Sequence, residues 1–225
     1  GVSTFAKMLN PKIKVIGVEP AGASCMKESL RQGKVVTLPQ VNTIADGTAV
    51  KRPGEKLFPY IQENVDEIIT IDDNELIVAF LDMVENHKMI VENSGLLTVA
   101  ALKHIKAEKK KIVSILSGGN MDVITLSSIV QHGLIQRDRV FTVSVLLPDK
   151  PGELARVSSL LAEQHGNIIK LEHNQFVSIN RNAAVELRIT MEAFGTEHKN
   201  QIVTALTDAG YRPKLVKVKG TYSEM

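Results

Sequence analysis

The spacing of hydrophobic and polar positions follows two different patterns along the chain, and the pattern changes near residue 137. In the first part, Lys14 to Val18 and Ile112 to Leu116 are short apolar runs typical of buried strands. Between them, Asp73 to Asn86 carries apolar residues at helical spacing, and Asp72 or the aspartate after it is placed to cap this helix. Ser94 to Ile105 is also helical in pattern. Strands and helices in this order predict a parallel sheet covered by helices.

From Val140 onward the pattern predicts a second, smaller domain. Val140 to Val145 alternates like a strand, and Pro151 stands in the predicted first turn of a helix that Gly166 ends. The remaining predicted elements are a strand at Ile168 to Ile179, a turn at Asn180 to Asn182, a strand at Ala184 to Met191, a helix around Gln201 to Leu206 and a strand at Lys214 to Val218. This β-α-β-β-α-β order is that of a ferredoxin-like fold.

The change in the spacing of hydrophobic residues predicts where the two domains meet. We expect an α/β domain over residues 1–136 and the ferredoxin-like domain over residues 137–225, with a hinge at Gly133 to Arg139.

Composition and charge exclude several classes of function. The net charge of +2 is spread along the chain, which gives no reason to expect a nucleic-acid partner. Cys25 is the only cysteine, so no intrachain disulfide is possible and a reducing compartment is expected. No apolar run reaches the roughly 18 residues of a membrane span, and no signal peptide is visible. We therefore expect a cytoplasmic protein that binds neither nucleic acid nor membrane.

The sharpest local motif is Ser117-Gly118-Gly119-Asn120, which directly follows a predicted strand. Open α/β sheets place their ligands at the carboxyl ends of strands. The two glycines allow a ligand to approach the backbone closely, and Ser117 offers a hydroxyl that donates or accepts a hydrogen bond. By itself, the motif is equally compatible with an ordinary strand-to-helix turn.

Read with its surroundings, this motif resembles the threonine and serine dehydratase family. The matching segments occur in family order and at family spacing: Gly17 to Pro20, Thr43 to Val50, Val65 to Ile68, Val91 to Gly95 and Leu116 to Asn120. The resemblance implies a fold type II pyridoxal-phosphate enzyme, of which this chain carries a part. It also implies a lyase that converts L-threonine to 2-oxobutanoate and ammonia.

The resemblance assigns cofactor-binding roles to five residues: Glu92, Ser117, Gly118, Gly119 and Asn120. Ser117 matches the serine that hydrogen-bonds the pyridine nitrogen of pyridoxal phosphate. Glu92 matches a carboxylate near the cofactor, and an alternative interpretation is a helix N-terminal carboxylate that interacts with the helix dipole. Asp46 and Gly47 are expected to shape the wall of the site.

Two positions depart from the family pattern. Glu19 and the backbone carbonyl of Ala23 match a cation site found in some relatives, but the usually acidic third ligand is Cys25 here. A thiol is a poor partner for a hard cation, so the sequence argues against a metal. Asn93 replaces the proline that is usual in its motif, which keeps a serine dehydratase or racemase open as an alternative function.

The sequence contains no catalytic residue that the resemblance would assign. The family's Schiff-base lysine lies in a Ser-Phe-Lys-x-Arg-Gly-type motif, and neither this motif nor the glycine-rich phosphate loop occurs between Gly1 and Met225. We therefore expect this chain by itself to catalyse no elimination. A non-catalytic amino-acid-binding or dimerisation module is the alternative function.

Asp149 to Leu154 resembles the signature of ACT domains. The resemblance implies that pairs of such domains associate side by side and bind an amino acid such as isoleucine or valine at their interface. The implied effector-binding residues are Pro151, Gly152, Glu153, Leu154, Gly166, Asn167 and Ile168. A homo-oligomer, either a dimer or a tetramer, is expected. A ferredoxin-like domain that only dimerises is the alternative.

Overall fold

The structure, a computed structural model, describes residues 1–106, 108–175 and 185–216, and its contacts divide the chain into two compact units, Gly1–Val130 and Gln131–Met225. The first unit contains α1 (Val2–Leu9), β1 (Ile16–Pro20), α2 (Cys25–Gln32), α3 (Phe58–Asn64), β2 (Glu67–Ile71), α4 (Asp73–Asp82), α5 (Asn93–Ala100) and most of α6 (Val123–Gln136). The second contains β3 (Val140–Leu147), α7 (Glu153–Glu163), β4 (Asn167–Asn174), β5 (Val185–Glu192), α8 (Thr196–Asp208) and β6 (Lys214–Val216).

In the first unit, β1 and β2 form a parallel pair in which Gly17 lies opposite Ile68. The sequence predicted the parallel arrangement and a strand near β1, but it did not predict β2. The buried side chains of the core come from β2, α4 and α5, with Ile71, Leu76, Phe80 and Leu96 almost fully excluded from solvent. Their burial holds the starts of α4 and α5 in fixed positions behind the sheet.

Asp72 caps α4, and it is the first of the two aspartates that the sequence offered for this position. Its carboxylate accepts a hydrogen bond from the backbone N–H of Asn74 at 2.8 Å, while the Glu75 side chain accepts one from the backbone N–H of Asp72 at 3.3 Å. This is a capping box, in which two N–H groups left free by helix geometry gain partners.

Replacing Asp72 by alanine is expected to lower the free energy of unfolding of the first unit by about 1 kcal/mol, because the N-terminal N–H groups lose their acceptor. Urea denaturation followed by NMR peaks of the first unit measures this change. Glu63→Ala, which removes an exposed acid from α3, is the matched control and is expected to change stability by less than about 0.5 kcal/mol. Equal losses in both variants would contradict the capping role.

The prediction of a buried strand at Ile112 to Leu116 was wrong. The segment pairs with no strand of the described first unit, and Val113 is 87% exposed. It packs instead on α5, where the Thr98 hydroxyl donates to the Ile115 carbonyl at 3.0 Å and the Ser114 hydroxyl donates to the Thr98 carbonyl at 3.2 Å. An apolar segment forms a strand only where the backbone of a neighbouring strand can hydrogen-bond to it. The pattern of residue types does not show whether such a strand is present.

The second unit has the ferredoxin-like order that the sequence predicted. Its four strands form one antiparallel sheet in the order β4-β5-β3-β6, with Val143 opposite Ile189. Alternate residues of β3 and β5 are buried against α7 and α8. The predicted turn at Asn180 to Asn182 and the predicted strand residues at 176–179, 184, 217 and 218 lie outside the described part of the chain.

Two details of the second unit differ from prediction. Pro151 lies in a turn two residues before α7 begins at Glu153, with Gly152 between them in the left-handed region at φ 92°. After α7, His165 takes the left-handed conformation at φ 58°, and Gly166 follows with its N–H bonded to the Leu161 carbonyl at 2.9 Å. The helix end is therefore a Schellman-type cap centred on the residue before the predicted glycine.

The region predicted as a hinge, Gly133 to Arg139, is helical up to Gln136, because α6 continues through it. The contact division falls within α6, between Val130 and Gln131. The domain boundary at residue 136 stays a proposal.

Candidate cofactor site

Glu92 joins the start of α5 to the Ser117–Asn120 loop. It is the N-cap residue of α5, but its carboxylate makes no capping hydrogen bond and instead accepts one from the backbone N–H of Asn120 at 3.2 Å. Its own backbone N–H donates to the Gly118 carbonyl at 3.3 Å. The position of Glu92 therefore satisfies the helix-terminus interpretation, while its side chain points to the loop that the family pattern associates with the cofactor.

Gly118 and Gly95 allow the loop and α5 to approach this closely. Gly118 has φ +80°, and a Cβ atom there would lie 1.9 Å from the Glu92 Cδ. A Cβ on Gly95 would lie 1.9 Å from the Ser117 carbonyl oxygen. Gly119 differs, because a Cβ there would meet nothing within 4 Å. The loop therefore packs closely against α5 and Glu92 at Ser117 and Gly118, and it faces open space at Gly119.

The segment Thr43 to Gly47 forms a wall beside Glu92. A Cβ on Gly47 would lie 2.9 Å from the Ser94 Oγ and 3.5 Å from the Glu92 Oε1. Asp73 at the start of α4 holds the segment, accepting hydrogen bonds from the Thr43 hydroxyl at 2.6 Å and the Ile44 N–H at 3.0 Å. Gly47 therefore lies beside Glu92, and the role expected for Asp46 and Gly47 in the wall of a site stays a prediction.

Asn93 holds the same wall from the start of α5. Its Nδ2 donates to the Ile44 carbonyl at 2.9 Å, and its side chain is buried. Sequence reasoning noted Asn93 only as a departure from proline and treated Asp73 only as part of a helix start. Both act as anchors of the wall, and no sequence pattern links them to residues that lie far away along the chain.

The arrangement fits one side of pyridoxal phosphate. Ser117 is exposed next to the open space at Gly119, so its hydroxyl is accessible to a ring nitrogen. Gly47 and Gly119 bring bare backbone to the same region as Glu92, which suits the close approach of a planar ring. The loop therefore offers the donor and the space that the cofactor's pyridine nitrogen needs.

Glu19 accepts hydrogen bonds from the backbone at the start of α2. Its two carboxylate oxygens each accept a backbone hydrogen bond at 2.8 Å, one from Met26 and one from Lys27, and the Cys25 Sγ lies 3.9 Å away. Burial raises the pKa of the Glu19 carboxyl, although the two N–H donors oppose the rise. Burial, and then the neighbouring Glu19, raises the pKa of the Cys25 thiol. The absence of a metal at Glu19 and Ala23 stays a prediction.

Glu19→Gln is expected to change how stability depends on pH. Because the pKa of Glu19 is raised on folding above its ordinary value of 4.5, its contribution to stability is fully present below pH 4.5 and is lost as the pH rises through the raised pKa. The variant should therefore gain stability relative to the wild type as the pH rises above 4.5. Urea unfolding across this range measures the difference, with the exposed Glu63→Gln as control. A difference that does not change with pH would contradict the prediction.

The predicted effector-binding residues fall into two groups at opposite ends of the second unit. The Pro151–Leu154 turn follows the end of β3, where the Tyr211 hydroxyl lies 3.4 Å from the Glu153 carboxylate. Gly166 to Ile168 lies near the beginning of β3, where the Asn167 Nδ2 donates to the Glu192 Oε2 at 2.8 Å. Because β3 has eight residues, about 24 Å separates the two groups within one copy.

Comparison with known proteins agrees with this geometry. Residues 1–118 match the model of the family described as pyridoxal-phosphate dependent enzyme, and residues 141–210 match the ACT domain. The first match spans more than half of the 225 residues. This chain belongs to the pyridoxal-phosphate-dependent enzyme family. The fold type II and ACT assignments made from the sequence are thereby confirmed.

Individual relatives extend the similarity through both units. The L-threonine ammonia-lyase of Geobacter sulfurreducens is 36% identical over 219 residues, which are 96% of this chain and 54% of that protein. The chain thus spans about half the length of this curated relative. The solved structure of the processed form of threonine deaminase isoform 2 from Solanum lycopersicum is 37% identical with a TM-score of 0.54, covering 58% of this chain and 39% of that chain. Maize serine racemase is 36% identical with a TM-score of 0.52, covering 61% and 44%.

The described residues offer neither a metal-type cluster of side chains nor a membrane-spanning helix. They contain no group of three or more His, Cys, Asp or Glu side chains placed to hold a metal ion. None of the helices in the described part of the chain has the length and apolar character needed to cross a bilayer.

Proposed function

We propose that this chain forms the cofactor-nitrogen side of an L-threonine ammonia-lyase and its amino-acid-sensing domain. The observation that carries the proposal is the Glu92-supported Ser117–Asn120 loop, which presents a hydroxyl beside open space. Similarity to the Geobacter sulfurreducens L-threonine ammonia-lyase runs through 96% of the chain and therefore includes the second unit, which matches the ACT domain. This shared second unit supports the threonine enzyme as the proposal.

The residues of this chain have supporting roles in such an enzyme. Pyridoxal phosphate, when bound, supplies the electron sink for removal of ammonia from the substrate amino acid. The Ser117 hydroxyl would hydrogen-bond the pyridine nitrogen and, as a neutral group, would not protonate it fully. Glu92 holds the loop through the Asn120 N–H, and Gly47 lies beside the Glu92 carboxylate. No lysine of this chain is proposed to react with the cofactor aldehyde.

Binding of pyridoxine 5′-phosphate to isotope-labelled chain tests this role. This compound has the ring nitrogen and the phosphate but no aldehyde, so it does not react with surface lysines. We expect saturable NMR shift changes centred on residues 117–120 and 92, which Ser117→Ala weakens. Ser159→Ala, an exposed serine on α7, is the matched control. Shift changes spread over the surface, or unaffected by Ser117→Ala, would contradict the proposal.

For the second unit, we propose that two copies pair side by side through β4 and bind an effector amino acid at the interface. β4 is an edge strand, yet it exposes the apolar side chains of Ile169 and Leu171. Pairing about a two-fold axis would bring the Gly152 turn of one copy towards the Asn167 turn of the other, across the distance that separates them within one copy. Isoleucine and valine are the proposed effectors.

A further inference from the structure

Asn93 carries a buried polar atom that has no partner. It is the first residue of α5, and only 7% of its surface is exposed. Its Nδ2 donates to the Ile44 carbonyl at 2.9 Å, but its Oδ1 is the one buried side-chain oxygen or nitrogen that lacks a hydrogen-bond partner in the described part of the chain. Leaving a buried acceptor unpaired lowers stability, so this atom requires a physical explanation.

Three consecutive residues at the start of α5 contact three parts of the candidate site. The Glu92 carboxylate accepts a hydrogen bond from the Ser117–Asn120 loop at 3.2 Å. Ser94 lies beside Gly47, where a Cβ would come within 2.9 Å of the serine Oγ. Asn93, between these two residues, holds the wall through its side-chain amide. The start of α5 therefore fixes the wall and the loop relative to each other.

A short path connects Asn93 to Gly47. The Ile44 peptide is held on both sides, because its N–H donates to a carboxylate of α4 at 3.0 Å and its carbonyl accepts from Asn93. Ala45 follows and is fully buried. Its carbonyl accepts hydrogen bonds from the N–H and the hydroxyl of Thr48, both at 3.0 Å, and these close the turn that contains Gly47. A displacement of the Ile44 carbonyl is therefore transmitted directly to Gly47.

We propose that Asn93 is a positioning residue of the cofactor site, whose amide sets the distance between the wall and the Glu92 carboxylate. This inference rests on the proposed function, because the space beside Glu92 is the one proposed to hold the cofactor ring. The Ile44 carbonyl only accepts, so the side chain at this position must donate. A carboxamide supplies that donor only together with its own oxygen, which accounts for the unpartnered Oδ1.

Asn93→Asp tests the donor with almost no change in shape. A carboxylate has no proton to give to the Ile44 carbonyl and repels it, whereas the protonated acid donates from one oxygen and keeps the other as an acceptor, as the amide does. Burial favours the protonated form. Other carboxylates near the wall, such as Asp73 and Glu92, and the phosphate of the ligand are also present in the wild-type measurement, so each affinity is compared with the wild type at the same pH.

Isothermal titration with pyridoxine 5′-phosphate measures the effect on binding. We expect Asn93→Asp to bind at least about tenfold more weakly than the wild type at about pH 8.5, and within about threefold of it at about pH 5.5. Asn93→Ala has no donor at either pH and is expected to bind about tenfold more weakly at both. Asn64→Asp is the matched control, because the Asn64 Nδ2 donates to the Tyr60 carbonyl at 2.9 Å on α3, and it should bind like the wild type.

Amide NMR spectra of the ligand-free proteins report on the wall itself. In Asn93→Ala, the N–H shifts of residues 44–48 are expected to change and those of α3 are not. Unchanged wall shifts, a moved wall with unchanged binding, or a loss in Asn93→Asp that is equal at both pH values overturns the positioning role. If Asn93→Asp does not fold, Asn93→Ala decides. A wild type that does not bind pyridoxine 5′-phosphate overturns the proposed function and the positioning role with it, whereas wild-type binding that every folded Asn93 variant retains overturns the positioning role alone.

Discussion

Replacing Gly118 by alanine is expected to lower the free energy of unfolding of the first unit by about 3 kcal/mol. Two costs add. A non-glycine residue at φ +80° is strained by about 1–2 kcal/mol, and the new Cβ would lie 1.9 Å from the Glu92 Cδ, so the carboxylate must move. The displaced Glu92 then loses its hydrogen bond to the Asn120 N–H. Urea unfolding and the NMR shifts of residues 92 and 120 measure both effects.

Gly119→Ala is the matched control for this prediction. A Cβ at Gly119 meets nothing within 4 Å, so stability is expected to change by less than about 1 kcal/mol. The same Cβ points into the space proposed for the cofactor ring, so pyridoxine 5′-phosphate should bind more weakly to a normally stable protein. Equal stability losses in the two variants would show that Glu92 does not pack against the loop as described.

Replacing Leu171 by aspartate is expected to weaken the pairing of two copies by about a hundredfold or more. Leu171 lies on β4, the edge strand proposed to form the interface, where it is 36% exposed in a single copy. Pairing would bury the new carboxylate without a partner, at a cost of about 3–5 kcal/mol. Sedimentation velocity over a concentration series measures the change from dimer to monomer.

The opposite edge of the same sheet provides the control for the pairing prediction. Leu215 on β6 is also an exposed leucine, at 52%. Leu215→Asp introduces the same charge on an edge strand that the proposed interface does not use, and it should leave pairing intact. If Leu215→Asp separates the copies and Leu171→Asp does not, the interface lies on the other edge.

The ferredoxin-like unit was predictable because its elements are determined by local patterns. In β3 and β5, successive side chains point to opposite faces of the sheet, so every second residue lies on the buried face. This two-residue period of hydrophobic residues is visible in the sequence without knowing which strands pair. A cap at Asp72 or Asp73 was predictable for the same reason, since the partners of a helix cap lie within three residues. Such features depend on neighbours along the chain.

The features that sequence reasoning missed depend on distant contacts. Ile112 to Leu116 has the composition of a buried strand, but whether it pairs depends on a backbone edge elsewhere. Asn93 anchors the Ile44 carbonyl across 49 positions, and Glu19 reaches the N–H groups of α2 around a turn. The motif that contains Ser117 located the candidate site, whereas the packing of Gly118 against Glu92 became visible only in three dimensions.

Production of 2-oxobutanoate from L-threonine in the presence of pyridoxal phosphate tests the central proposal most directly. Two proteins are compared: this chain alone, and a fusion in which it follows the part of the Geobacter sulfurreducens enzyme that it does not match. We expect the fusion to bind the cofactor, seen by visible absorption, and to form 2-oxobutanoate, and we expect Ser117→Ala to lower its turnover; the chain alone should form none. A folded fusion that binds the cofactor but makes no 2-oxobutanoate, or turnover by the chain alone, would contradict the account.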